Sequence, residues 1–168
     1  MARKRKKHAP SEDQFTNQHF EELQRKFTAE GKEITRDYNS HPEGKLSDRI
    51  TFLTRPILEK EDSGRSDFAK TVIGFACMAW NASLLKMAER QKMIDGFLNL
   101  LTPIANDPKG KVLIQDLINE LIARKLKYFP NDRRYITSYK AAVINDRLQL
   151  SVASIDTDEH AFDTEKQT

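Results

Sequence analysis

Asp116 and Glu120 stand four residues apart. That spacing puts two carboxylates on one side of a helix, where a general acid and a general base can work together. A solvated helix face has the same spacing, and it is the reading adopted for this pair. The sole cysteine, Cys77, lies in the most apolar stretch of the chain, where a thiol behaves as a small buried hydrophobe rather than a nucleophile. The four histidines are His8, His19, His41 and His160. None has enough ligand-type neighbours at the right spacing for a metal site; His19 has Glu22 one turn on, but two groups do not make a zinc centre. Gly110-Lys111 has the ending of a phosphate-binding loop, yet Val112 follows where Ser or Thr is needed and Ala105 occupies the first glycine position. Asn81-Ala82-Ser83 fits a glycosylation acceptor, but it falls inside an expected core helix. The sequence therefore implies no cofactor and no metal. A non-enzymatic protein is expected, although a pocket assembled from distant residues such as Arg49, Arg65, Glu89 and Arg90 would be invisible to spacing.

Two groups point to binding. The first is the run Arg3-Lys4-Arg5-Lys6-Lys7. Five consecutive cations neutralise phosphates and release counterions, and in a eukaryote such a run also directs nuclear import. No aromatic residue is interleaved with it. The second is the cluster Arg124, Lys125, Lys127, Arg133 and Arg134, with Tyr128, Phe129 and Tyr135 among the cations. Forked guanidinium contacts and base stacking both suit nucleic acid. The competing reading is structural: cations at a helix end meet its macrodipole, and Phe129 and Tyr135 anchor a corner.

Charge is distributed unevenly. The net +3 includes five positives in the arm and −4 from Ile155 onward, so the middle carries only +2. A single cysteine excludes an internal disulfide framework and favours a reducing compartment, so a cytoplasmic location is expected. The basic start is followed by His8-Ala9-Pro10-Ser11 rather than an apolar stretch, so no secretion signal is read. No run of about 18 apolar residues predicts a membrane span.

The elements that must position these groups follow from periodicity. Residues 1–10 read as a disordered basic arm, 11–154 as one helical domain, and 155–168 as a disordered acidic tail. Ser11 with Gln14 suggests a capped helix over about 12–30. Leu46, Ile50, Leu53 and Ile57 give a second helix, which Pro56 should interrupt, unless it starts a new turn after Thr54. Phe68 to Trp80 should be buried nearly all round. A segment with Ile94 and Leu98 follows, ending before Pro103. Leu113, Leu117, Ile118, Leu121, Ile122 and Leu126 mark a last helix. Residues 133–154 then alternate with period two. A turn at Asn145-Asp146 sets Val143 opposite Leu148, Ala141 opposite Leu150 and Tyr139 opposite Val152 on one apolar face. Lys140, Gln149 and Ser151 fall on the other face. The expected fold is α+β and mainly α: about five helices around a buried central helix, then a two-stranded antiparallel hairpin. The Leu113–Leu126 helix should cover the hairpin's apolar face.

The function expected is that of a small interaction or regulatory protein. One alternative is a nucleic-acid-binding accessory protein using the arm and the Arg124–Arg134 corner. Nucleic acid or another protein is the expected partner, with self-association through the hairpin edges as a third route.

Overall fold

A computed structural model describes residues 12–30, 44–60, 66–101, 107–145 and 147–157. The basic arm, Ser11 and the chain after Thr157 lie outside the described residues. Among the described residues, five helices, α1 (Glu12–Ala29), α2 (Leu46–Leu58), α3 (Ser66–Ser83), α4 (Met87–Leu100) and α5 (Pro108–Tyr128), precede β1 (Arg134–Ile144) and β2 (Arg147–Asp156). The expected α+β, mainly α architecture is the one found.

α3 is the central element. It packs against α2, α4, α5 and β1, because Val72, Ile73, Phe75, Ala76, Ala79, Trp80 and Ala82 leave little of its circumference polar. Ile50 and Leu53 of α2, Ile94 and Leu98 of α4, and Ile118 and Leu121 of α5 close around it, all essentially inaccessible to solvent. Each such side chain contributes about 1.5–3 kcal/mol by leaving water. α5 begins at Pro108, preformed for a first helical turn, with the Asp107 carboxylate accepting from Lys109 N–H.

Pro56 does not interrupt α2, which continues through it to Leu58. Proline removes the N–H that would have met the Phe52 carbonyl one turn back. Arg124 of α5 supplies the replacement: its Nη2 donates to Phe52 O at 3.4 Å and its Nε to Leu53 O at 3.2 Å. A cation expected at the surface thus mends the ladder of a neighbouring helix.

The hairpin has the expected register, with Val143 opposite Leu148, Ala141 opposite Leu150 and Tyr139 opposite Val152. Asn145 takes φ 52°, the left-handed conformation a two-residue turn demands. One irregularity was not expected. Ile136 pairs with Ser154 and Ser138 with Ala153, so Thr137 is an extra residue. This bulge shifts the alternation, bringing Arg134 and Ile136 onto the same face as Tyr139 and Ala141.

The covering of the hairpin also differs from expectation. α3, not α5, packs against β1. Leu113 and Leu126 of α5 are exposed, at 70% and 40%, so the face predicted to meet the hairpin does not. The polar face is covered too: α1 packs against β2. His19 reaches across both strands, with Nδ1 2.9 Å from Ser151 Oγ and Nε2 3.1 Å from Ser138 Oγ. Lys140 donates to Glu22 at 2.7 Å and lies 5.6 Å from the Phe15 ring centroid. The small side chains of Ser138 and Ser151 let His19 approach, so this face is covered at its centre, with the Lys140–Glu22 pair at its solvent edge.

Candidate functional site

The end of α5 and the start of β1 form a corner against α2, and the expected basic and aromatic residues divide there into two groups. The first is buried. Asp132, whose side chain is fully inaccessible, receives Arg49 Nη1 at 2.9 Å, Arg134 Nε at 2.9 Å, a second contact from Arg134 Nη2, and the Arg134 backbone N–H at 3.2 Å. Arg134 also donates to Gly44 O at 2.8 Å. Lys125 donates to Asp132 O at 2.8 Å, with its ammonium 5.1 Å from the Trp80 ring centroid. Trp80 Nε1 closes the arrangement by donating to Arg134 O at 2.8 Å.

The electrostatics follow from burial. Desolvation pushes the Lys125 ammonium down to about 8, against the pull of the Asp132 charge. For Asp132, burial acts to raise the carboxyl. The hydrogen bonds from Arg134 and the charges of Arg134 and Arg49 outweigh it and hold the group below the usual Asp range. Arg134 is therefore not the surface contact that its position in the sequence suggests. It is a buried structural ion, because the Thr137 bulge turns it inward to meet Asp132.

The second group is at the surface. Phe52 and Tyr128 are 38% and 44% exposed, their ring centroids 5.2 Å apart and nearly perpendicular. Phe129 supports Phe52 from below at 5.7 Å and is itself covered by the Arg49 guanidinium at 4.7 Å. The Arg124 guanidinium lies 5.9 Å from the Phe52 ring and 5.6 Å from the Tyr128 ring, and Lys127 lies 5.1 Å from the latter. Lys127 and Arg133 are exposed and Arg124 is half-buried. Tyr135 is half-buried on the far side of the corner, where it lines a groove rather than this face. Arg3, Lys4, Arg5, Lys6 and Lys7 lie outside the described residues.

Residues 45–60 and 120–134, which build this face, hold nine cations against four anions, a net +5 where the whole chain carries +3. Asp48, Glu59 and Glu120 are the exposed acids among them. Of that +5, the buried set of Arg49, Lys125 and Arg134 against Asp132 supplies +2 from beneath, where water screens it less, and the residues outside it supply +3. Sequence reasoning missed Phe52 and Arg55 and named Arg49 only for a pocket of distant residues, not for this corner; all three belong to α2, some seventy residues or more away in the chain.

A groove of about 520 Å³ lies between α3, α4 and β1. Met78, Met93, Phe97 and Leu100 supply an apolar wall and Tyr135 to Tyr139 the strand side. Asn81 acts as a surrogate strand there: its Nδ2 donates to Ile136 O at 2.9 Å and its Oδ1 accepts from Ile136 N at 2.8 Å. Burial pushes the Cys77 thiol up to about 12 and raises the Tyr139 hydroxyl, so both stay protonated at neutral pH. Among the described residues, no group of three His, Cys, Asp or Glu side chains is placed to hold a metal, and no helix is long and apolar enough to cross a membrane. Compared with known proteins, the chain matches no family model, no curated protein and no solved structure.

Proposed function

We propose that this chain is a non-enzymatic interaction protein that binds nucleic acid on the face built by α2 and the α5–β1 corner. The observation that carries the reading is the concentration of charge. Outside the buried set, two segments distant in sequence bring six cations against three acids, a net +3, to the neighbourhood of two exposed aromatic rings. A polyanion gains there by releasing counterions, and the run Arg3–Lys7 adds a further basic segment to the same chain. The test is fluorescence anisotropy with labelled oligonucleotides between about 50 and 200 mM salt, a range over which several phosphate contacts cost orders of magnitude in affinity. Arg55→Glu with Lys127→Glu should weaken binding, and replacing Arg3–Lys7 by serine should reduce the salt dependence. Affinity indifferent to both salt and charge reversal would refute the reading.

The groove supports a second reading, in which a partner polypeptide pairs with the outer edge of β1. Apolar lining beside a strand edge suits an extended segment. Trp80 and Asn81 already occupy the edge at Arg134 and Ile136, so pairing would be confined to Tyr139 onward. Light scattering at high concentration tests the version in which the partner is a second copy of the chain.

A further inference from the structure

Resting on the nucleic-acid reading of this face, we infer that Phe52 and Tyr128 form a two-ring stacking step that makes it selective for single strands over duplex. The charge alone does not discriminate, since both forms of nucleic acid present phosphates. The rings do. In a duplex the base faces are occupied by their neighbours, whereas an unpaired strand has free faces to lay on aromatic side chains. Phe52 and Tyr128 are each more than a third exposed, and they are held rather than loose. Phe129 packs edge-on against Phe52. Arg124 is fixed to the α2 carbonyls of Phe52 and Leu53, so its guanidinium stays near both rings.

The perpendicular arrangement of the pair, 78° between planes, gives the two exposed rings different orientations. Each suits a separate base rather than one base clamped between them. Arg124 spends two of its N–H donors on carbonyls, leaving others for phosphate. Lys127 is exposed, and on this reading it exchanges its place over Tyr128 for a phosphate when a base arrives. Glu120 lies one helical turn before Arg124 and Asp48 one turn before Phe52. The strand is therefore expected to run along the Arg55–Lys127 side of the rings, away from both acids.

The experiment measures anisotropy of a labelled 12-nucleotide oligo(dT), a 12-base-pair duplex and, by competition, poly-glutamate, all with the full chain at about 50 mM salt. The variant is Phe52→Leu with Tyr128→Leu, which keeps apolar bulk and removes the rings; circular dichroism checks that it folds. Tyr128→Trp alone supplies a ring by another route. The expected result is tighter binding of the single strand than of the duplex. The double variant should lose roughly fivefold to a hundredfold per stacked base on the single strand and change little on the duplex, and Tyr128→Trp should retain wild-type preference. Equal affinity for both nucleic acids, unchanged in the double variant, overturns the stacking step and leaves the charged face intact. Binding of neither, or poly-glutamate competing as well as oligo(dT), overturns the reading of the face itself.

Discussion

Replacing Asp132 with alanine removes the only negative charge inside a buried group of three cations. Four hydrogen bonds end on its carboxylate, from Arg49, from Arg134 Nε and Nη2, and from the Arg134 backbone. At about 1.5–3 kcal/mol for each bond to a charged group, a simple sum overshoots, because the separate bonds are not independent. Arg49, with 15% of its side chain accessible, recovers water. Arg134 recovers little, since it is almost fully buried and keeps its bond to Gly44 O. Breaking one partner out of a buried pair costs about 3–5 kcal/mol, and the burial here places Asp132→Ala within that range. The assay is urea denaturation followed by fluorescence of Trp80, the sole tryptophan, which is fully buried and hydrogen-bonded to Arg134 O. Asp132→Ala with Arg134→Met should recover part of the loss, because the stranded charge is gone. The acid limb carries a further signature. The native Asp132 carboxyl titrates lower than in the unfolded chain, so its contribution is present above about pH 4 and is lost as pH falls through the native value; the alanine variant lacks that loss. A cost below about 1 kcal/mol, or no recovery in the double variant, would refute the buried-ion account.

His19 titrates below its ordinary range, through burial first and the Lys140 charge second, with Glu22 opposing. The unfolded chain therefore takes the proton first, and the docking of α1 on the hairpin should weaken as pH falls below about 6.5; hydrogen exchange at Ser151 should show this, and His19→Leu should flatten it. Lys125, pushed down to about 8, should make stability rise between about pH 8 and pH 10, where the unfolded lysine still holds its proton and the native one has lost it; Lys125→Met should remove that rise. Gly74 lies mid-helix with a would-be Cβ 2.8 Å from the Tyr139 hydroxyl and 3.8 Å from the ring carbon that bears it. Gly74→Ala should thus gain the usual helix benefit of about 0.5–1 kcal/mol only in a Tyr139→Phe background, as melting temperatures of the four combinations will tell.

The strand register was legible because it depends on local chemistry. Asn at a two-residue turn and paired apolar positions on either side leave one register that puts all six side chains on one face. The bulge was written less plainly. Apolar positions run odd from Tyr139 through Val143, while Ile136 is even, and that change of parity across Thr137-Ser138 was the available signal. Two small hydroxyl residues suit either face, so the alternation alone did not say where the extra residue lay. The helix that covers the hairpin was not legible, since α3 and α5 are both apolar enough to do so and chain proximity favoured the wrong one.

The corner was misjudged through chemistry rather than periodicity. Ile118, Leu121, Ile122 and Lys125 follow the spacing of one helix face, and all four are buried; Leu126 is a hundred degrees further round and is exposed. Residue type suggested the reverse order, a leucine inside and a lysine outside. What settles the matter is Asp132, the one acid among the cations between Arg124 and Arg134. An isolated carboxylate beside so many positive groups pays for burial only by gathering several of them, and it therefore draws Lys125, Arg134 and the distant Arg49 inward. Those that remain outside, Arg124, Lys127 and Arg133, stand around rings contributed from α2 as well as α5. The division of one basic cluster into a buried set and a surface set is thus decided by a single aspartate, and the nucleic-acid reading belongs to the surface set alone.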